Sequence, residues 1–194
     1  MSLQERIYSV LLVSASSNVN GTLHELLPAS TYSPVNTVGN ISAAKRALAE
    51  RDFDFVIVNS PLPDEDGMRF SIDAGETKNT VVLLMVRQEQ YSETFERASG
   101  FGVFTLAKPL SKSSMAQALD WLVSARERLR MTEKKVLSVQ EKMDEIRFVN
   151  RAKWLLISEL KMTESDAHRY IEKQAMDRCI PRRRVAEDII RTYS

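Results

Sequence analysis

The first 120 residues alternate between short apolar runs and segments with helical spacing, and this alternation is the strongest constraint on the fold. Residues 9–13, 53–58 and 81–86 are mostly apolar, with Ser9 and Asp54 as the polar members, as expected of strands buried on both faces of a parallel sheet. Weaker strands are predicted at 33–38 and 102–106. The intervening segments predict helices, with Asn40 and Asp66 as candidate amino-terminal caps. Five βα units of this length predict an α/β fold, a doubly wound sheet with helices on both faces.

The composition limits the class of protein. The chain has 194 residues, of which 43% are hydrophobic, and this is enough for one ordinary domain and a small one. No apolar run is long enough to span a bilayer, and the polar start is unlike a secretory signal. Cys179 is the only cysteine, so an internal disulfide is excluded. We therefore expect a soluble cytoplasmic protein with no membrane contact.

The charge is distributed unevenly along the chain, although the formal net charge is only +1. Residues 1–120 carry 10 Lys+Arg against 14 Asp+Glu, residues 121–146 carry 6 against 5, and residues 147–194 carry 11 against 7. An acidic front and a basic end suggest a regulatory half and a half that faces a polyanion. A mildly basic solvated surface is the alternative explanation.

Residues 114–146 contain neither glycine nor proline and carry a heptad pattern. The first heptad position holds Leu122, Leu129, Val136 and Met143, and the second holds Ala125, Thr132, Val139 and Ile146. This pattern predicts a long coiled-coil helix at 121–146 that pairs two copies in parallel, giving a homodimer through residues 114–146. The alternative is a single amphipathic helix that lies against its own domain.

Residues 147–194 predict three helices. The first continues to Leu160. Thr163 followed by Asp166 resembles a capping box that starts the second helix, and Pro181 suits the first position of the third. The predicted buried positions of the three helices are, in order, Val149, Ala152, Leu156 and Leu160; Ala167, Ile171 and Ala175; and Val185, Ala186, Ile189 and Ile190.

Basic and aromatic side chains of this carboxyl-terminal segment suit a nucleic acid, since cations contact phosphates and flat groups stack on bases. The candidate nucleic-acid-binding residues are Arg151, Lys153, Trp154, Arg169, Tyr170, Lys173, Arg182 and Arg183, with Arg184 and His168 beside them. Each also has a structural explanation, because Trp154 and Tyr170 can pack at a core edge and the cations can be solvated. The sequence shows no nucleophile–base pair and no metal-ligand cluster, so neither an enzyme nor a metal or cofactor is expected.

The order of elements, together with Ala107-Lys108-Pro109 after the fifth strand, resembles the receiver domain of bacterial response regulators over residues 7–122. That family has two acids after the first strand, where this chain has Ser14 and Ala15. Asn59 stands in place of the phosphoaccepting Asp. Met85 replaces a Thr or Ser, and Thr105 replaces an aromatic residue. Only Lys108 and Pro109, the latter a candidate for a cis peptide bond, match the family's pocket.

These replacements would remove the chemistry that the resemblance implies. Phosphoryl transfer needs a carboxylate nucleophile and a cation held by oxygen ligands, and Asn59, Ser14 and Ala15 supply neither. Residues 64–66 are acidic, but we interpret them as loop and helix-cap residues. Lys108 is then expected to bond Asn59 or backbone carbonyls. The hypothesis is a pseudo-receiver domain at 1–120.

Three separated motifs near the end of the chain resemble the ANTAR domain of bacterial antitermination regulators, over about residues 140–192. They are residues 151–153, residues 165–170 with 174–177, and the 185–186 and 189–190 pairs. Trp154 departs from the family, which often has Gly there. The resemblance implies a three-helix domain at 147–194 that binds hairpins of leader RNA and prevents a terminator from forming.

The sequence thus predicts an RNA-binding transcription antitermination regulator with a receiver-like domain that lacks the phosphoacceptor. An inhibitory or sensor protein partner, or a ligand, would then control it instead of phosphate. The alternatives are a DNA-binding regulator, since three basic helices can resemble a helix-turn-helix, and a dimeric protein-interaction adaptor.

Overall fold

The computed structural model describes residues 6–77 and 80–193. The chain divides into two compact units, with the boundary between Met131 and Thr132. In the described ranges, no helix is both long enough and apolar enough to cross a membrane.

The first unit is built on a parallel five-stranded sheet. The strands are β1 (Tyr8–Val13), β2 (Tyr32–Val38), β3 (Phe55–Asn59), β4 (Val81–Arg87) and β5 (Val103–Lys108), in the order β2-β1-β3-β4-β5. All five predicted strands are confirmed. The third begins two residues later than predicted, at Phe55, and the hydroxyl of Thr80 donates to the Phe53 carbonyl at 2.9 Å ahead of the ladder.

Helices cover both faces of this sheet, which confirms the doubly wound prediction. They are α1 (Ser17–Leu26), α2 (Ile41–Glu50), α3 (Met68–Gly75), α4 (Tyr91–Ala98) and α5 (Lys112–Leu160), with short 3-10 turns at Gln88–Gln90 and Ser99–Phe101. One core cluster joins the sheet to α1 and α5 through Leu23, Met115 and Leu119. The other joins it to α2, α3 and α4 through residues that include Ile41 and Phe70.

The two candidate caps differ in outcome. Asn40 caps α2, because its side chain accepts a hydrogen bond from the Ala43 amide at 2.8 Å. Asp66 lies one residue before the cap position of α3, which Gly67 takes with a φ of 80°, but its carboxylate still accepts from the Met68 amide at 3.0 Å. A Cβ at Gly67 would lie 2.8 Å from Cγ1 of Val58, so this position needs glycine for both its conformation and its close packing.

Helix α5 is continuous, but its predicted heptad positions have different surroundings. Leu122 is 1% exposed and packs in the core of the first unit, and Ala125 packs against the same cluster. The first heptad therefore lies against its own domain, as the alternative explanation held. Beyond it the heptad positions are open to solvent: Leu129, Val136, Val139, Met143 and Ile146 are all exposed.

The second unit combines the end of α5 with α6 (Glu164–Asp177) and α7 (Arg182–Tyr193). Its core confirms most of the predicted positions: Ala152, Leu156, Ala167, Ile171, Ala175, Val185, Ala186 and Ile189 are buried. Leu160 was wrongly predicted as buried. It is 43% exposed because the helix ends there and Lys161 turns with a φ of 53°, which leaves Met162 to pack against the core.

Local hydrogen bonds define the starts of α6 and α7. Thr163 caps α6, as predicted, by accepting from the Asp166 amide at 3.2 Å. Pro181 lies one residue before Arg182, where α7 begins, and not at the first position of the helix as predicted. Its carbonyl accepts from the Arg184 amide at 2.9 Å, so Pro181 takes the cap position that precedes the helix.

Candidate nucleic-acid interface and receiver-like pocket

Asn59 and Lys108 meet at the carboxyl ends of β3 and β5. The Lys108 Nζ donates to Asn59 Oδ1 at 2.8 Å and also to the Ser60 carbonyl, as the sequence predicted. The Asn59 Nδ2 donates to Ser14 Oγ at 3.1 Å. The peptide bond between Lys108 and Pro109 is cis, as expected. A lysine, a neutral amide and a hydroxyl thus form one hydrogen-bonded group at this edge of the sheet.

The remaining pocket positions add no anionic group. Ser14 Oγ also accepts from the Ser16 amide at 3.2 Å, and Ala15 is exposed. Met85 is buried in the core. Thr105 is buried too, and within residues 6–77 and 80–193 its Oγ1 has no hydrogen-bond partner. In that part of the chain there is also no group of three or more His, Cys, Asp or Glu side chains arranged to hold a metal ion.

Asp64 caps the start of a helix. Its carboxylate accepts from the Ile41 and Ser42 amides, each at 3.0 Å, at the start of α2. These hydrogen bonds lower the pKa of Asp64 below its usual value. Glu65 pairs with Lys45 at 3.3 Å. The interpretation of Asp64 as a cap residue is therefore confirmed, and the helix that it caps is α2.

Lys108 is half-buried and has an unusual electrostatic environment. Burial lowers the pKa of its ammonium first, and the nearby Arg87 lowers it further. Both oxygens that accept its hydrogen bonds belong to neutral amides. The positive charge of Lys108 therefore lies in a partly desolvated site without a direct carboxylate partner among the described residues.

In the second unit, the last turns of α5 present a basic and aromatic face to solvent. Arg151 is exposed, and Trp154, three residues later, is 73% exposed. Ala152 and Leu156, which are buried, define the opposite side of the helix. Trp154 is therefore not a core-edge residue, and its indole lies one turn from the Arg151 guanidinium position.

Helix α6 presents a second basic face. Arg169 and Lys173 are exposed and lie one turn apart, on the side opposite Ala167 and Ile171. Tyr170 is 39% exposed and lines a small crevice with residues of α7. Among the described residues, Arg151, Arg169 and Lys173 form no salt bridge.

The other predicted cations already have carboxylate partners. Lys153 is mostly buried, and its Nζ lies 2.8 Å from Glu164. Arg182 lies 3.1 Å from Glu145. Arg183 lies 3.1 Å from Glu187 and its guanidinium stands 5.0 Å from the centre of the Phe148 ring. The predicted RNA-binding set thus separates into open cations and cations that join helices of this unit.

Sequence reasoning missed one cluster, at the opposite ends of the strands. Asp54 accepts from the Ser9 amide at 2.9 Å and from Arg126 Nε at 2.9 Å, and Arg130 lies 3.4 Å from it. Glu127 accepts from the Tyr8 hydroxyl at 3.0 Å. The spacing of Arg126 and Arg130 on one helical face was the available signal, but Asp54, which both contact, lies more than 70 residues away along the chain.

Comparison with solved structures defines the fold of the first unit as receiver-like. A signal receiver domain of an HD domain-containing protein from Pseudomonas fluorescens Pf-5 aligns with a TM-score of 0.56 at 20% identity, covering 68% of this chain and 96% of that one. A CheY-like receiver domain from Methylobacillus flagellatus aligns with a TM-score of 0.51 at 20% identity, covering 60% and 98%.

The sequence comparisons also cover the second unit. Residues 138–190 match the ANTAR domain. The transcriptional regulatory protein PdtaR of Mycobacterium tuberculosis H37Rv is 28% identical over 184 residues, which cover 94% of this chain and 89% of that protein. These findings confirm the class predicted from the sequence: an ANTAR response regulator with a receiver-like domain.

Proposed function

We propose that this chain is an RNA-binding transcription antitermination regulator whose receiver-like domain does not use aspartyl phosphate. The observation that carries the proposal is the ANTAR match at residues 138–190, which includes the exposed pair Arg151 and Trp154. The role is regulatory, involves no catalytic step or cofactor, and is carried out in the cytoplasm, where leader transcripts are made.

The open cations and the exposed indole suit a hairpin with unpaired loop bases. Arg151, Arg169 and Lys173 would contact phosphates, and Trp154 would stack on a loop base. Lys153, Arg182 and Arg183 would contribute less to RNA affinity, because a phosphate would have to replace the carboxylate that each already contacts. Tyr170 would act at the edge of this surface.

Two copies would pair through the solvent-facing part of the heptad pattern. Val136, Val139 and Ile146 are each more than half exposed, and their spacing places them along one side of α5. Burying such a stripe against a second α5 would remove apolar surface from water. A parallel homodimer would place two RNA-binding units together, which suits an RNA that has two hairpins.

Control would come from a protein partner or a ligand. Asn59 cannot form an acyl phosphate, and Lys108 is already bonded to it. A group of exposed aromatic side chains on α4, the following turn and β5 offers a surface for a protein: Phe95, Phe101 and Phe104.

Titration with RNA and DNA tests the proposed function. The full chain is titrated with a two-hairpin RNA and with a duplex DNA of equal length, at two salt concentrations. We expect RNA preference, and Trp154→Ala should weaken RNA binding by about 1–3 kcal/mol. Arg151→Ala should also weaken it, whereas Arg191→Ala on α7 is the matched control. DNA preference would favour a DNA-binding regulator, and absence of binding would favour an adaptor.

Incubation with acetyl phosphate and Mg²⁺ tests the loss of phosphorylation. We expect the intact mass of the chain to stay unchanged, because no carboxylate stands at the end of β3. A labile phosphate adduct that maps to the first unit would overturn this part of the proposal and leave the RNA-binding part standing.

A further inference from the structure

A cavity of about 350 Å³ opens beside Lys108 in the first unit, between α1 and the start of α5. Its inner wall is apolar and is formed by Leu23, Met85 and Met115, all of which are buried. This size lies at the lower end of the range of small-molecule sites, which are usually apolar with a few placed polar groups.

The polar groups of the cavity are concentrated at one end. Asn59 and Lys108 line it there, at the carboxyl ends of their strands. Ligands of open parallel sheets bind in this place because the strand ends and the following loops form a crevice. Asn18, Thr22 and Ser111 line the remainder and offer neutral hydrogen-bonding groups.

Among the described residues that line the cavity, Lys108 is the only charged one, so the lining carries a positive charge. An ammonium group has three N–H donors, and two of them are used by Asn59 Oδ1 and the Ser60 carbonyl. One donor therefore remains for a further acceptor. An anionic acceptor would also offset the cost of holding this charge out of water.

We propose that this cavity binds a small organic carboxylate with an apolar body. The carboxylate accepts from Lys108, and the apolar body packs against Leu23, Met85 and Met115. This inference rests on the proposed function, in which a partner or a ligand controls the receiver-like domain, and it names the chemical class of that ligand. Binding of the carboxylate does not require RNA.

A single negative charge fits this site better than a phosphoryl group does. A phosphate dianion carries more charge than one ammonium group can offset, and Lys108 is the only cation among the described residues that line the cavity. The apolar inner wall would also leave most phosphate oxygens without donors. The same wall favours a ligand that has a hydrocarbon part, because burying that part releases water from apolar surface.

The ligand would contact the helix that continues into the second unit. Met115 lies in the first turn of α5, and Ser111 immediately precedes this helix. Occupation of the cavity therefore acts on the beginning of α5 directly, which gives a bound carboxylate a physical route to influence the part of the chain that carries the ANTAR match.

Calorimetric titration of the full chain, without RNA, tests the proposal. The probes are phenylacetate and hexanoate, with methyl phenylacetate and hexanol as uncharged counterparts and inorganic phosphate as the competing anion. We expect the two carboxylates to bind and the uncharged compounds and phosphate to bind at least about tenfold more weakly, a difference of about 1.4 kcal/mol.

Variants separate the cavity from the general surface. Lys108→Gln should weaken carboxylate binding at least about tenfold. Lys112→Gln should leave it unchanged, because Lys112 is an exposed lysine paired with Glu25 and does not line the cavity. Thr22→Phe keeps the charge and fills the cavity, so it should abolish binding while circular dichroism and the thermal midpoint show a folded chain.

Each contrary result overturns the inference. Equal binding of carboxylates and uncharged compounds would show an apolar crevice only, and preference for inorganic phosphate would show a remnant phosphate site. Absence of carboxylate binding, or binding that persists in Thr22→Phe, would remove the cavity as the site. The RNA titration of the ligand-free chain is a separate measurement, so failure here is distinguishable from failure of the proposed function.

Discussion

Asp54 combines burial with several hydrogen bonds to its carboxylate. Burial alone would raise its pKa, but hydrogen bonds from the Ser9 amide and hydroxyl and from Arg126 outweigh burial and lower the pKa. Arg126 is itself almost fully buried, with a side chain 8% exposed. The contact joins the starts of β1 and β3 to α5, so one carboxylate holds three elements together.

Replacement of this carboxylate tests its contribution. Asp54→Asn should lower the free energy of unfolding by about 2–3 kcal/mol, because a neutral amide then replaces the charged acceptor of the Ser9 amide and of the Arg126 guanidinium. Urea unfolding measures the difference. Asp52→Asn, at an exposed position two residues earlier, is the control and should stay within about 0.5 kcal/mol. Equal losses of the free energy of unfolding in the two variants would contradict the stabilising role of the Asp54 carboxylate.

The same contact predicts a pH dependence. Because the pKa of Asp54 is lower in the folded chain than in the unfolded one, its stabilisation is fully present above the unfolded value of about 3.9. It is lost as the pH falls through the folded pKa. Urea unfolding at a series of pH values from neutral to acid should therefore show that the free energy of unfolding falls less for Asp54→Asn than for the native chain. Parallel curves would contradict this.

Asn59 offers a residue-level test of the degenerate pocket. Asn59→Asp restores a carboxylate beside Lys108, but Ser14 and Ala15 still supply no anionic ligand for Mg²⁺. We therefore expect acetyl phosphate and Mg²⁺ to leave this variant unphosphorylated by intact mass. The triple variant that also carries Ser14→Asp and Ala15→Asp is the comparison, since it regains the acids. Phosphorylation of Asn59→Asp alone would show that another group holds the cation.

At the scale of elements, α5 shows what periodicity can and cannot reveal. The heptad spacing predicted a long helix with an apolar stripe, and the helix is present from Lys112 to Leu160. The spacing could not show that Leu122 packs inside its own domain, because intradomain and intermolecular burial need the same residue types. Sequence also predicted the buried positions of α6 and α7, where small and branched apolar residues recur once per turn.

Substitutions in the exposed stripe test the role of α5 in pairing. If two copies pair through α5 as proposed, Val136→Asp combined with Val139→Asp should shift the chain from dimer to monomer in sedimentation at micromolar concentration, because charges would replace the apolar seam. Neither side chain is buried in the single chain, so the thermal midpoint of a monomeric sample should change little. Lys134→Glu, on the outer side of the heptad, is the matched control and should remain dimeric.

The start of α6 gives a second test at this scale. Thr163→Ala removes an acceptor for the Asp166 amide and should lower the free energy of unfolding by about 1 kcal/mol. Ser165→Ala, at an exposed position in the same turn, lacks this cap and serves as the control. Urea unfolding of the two variants compares them. A loss of equal size in both would indicate helix propensity and not capping.

At the scale of the whole molecule, the sequence predicted both parts of the chain and the contrast between them. The acidic front and basic end correspond to a receiver-like unit and a unit that carries the ANTAR match. Sequence could not separate open cations from paired ones, because Lys153 and Glu164 meet only through the packing of α5 on α6. The cavity beside Lys108 was also beyond prediction, since its lining comes from distant segments.

This difference among cations predicts the salt dependence of RNA binding. If Arg151, Arg169 and Lys173 make the phosphate contacts, each RNA-binding unit should show a slope of log affinity against log salt of about −2 to −3. Fluorescence anisotropy across a salt series measures the slope. Arg169→Ala should reduce its magnitude by about one, whereas Arg182→Ala should change it little. A slope of about −5 or steeper would show that the paired cations also exchange their carboxylates for phosphate.

The exposed seam of α5 has a consequence for the dose of the protein in a cell. If two copies associate through it, the fraction of paired chains follows mass action and rises with abundance. An RNA with two hairpins would then respond more steeply than in proportion to the number of protein copies. The rates of synthesis and degradation of this chain would thereby change the regulatory response, in addition to any effect of a ligand or partner.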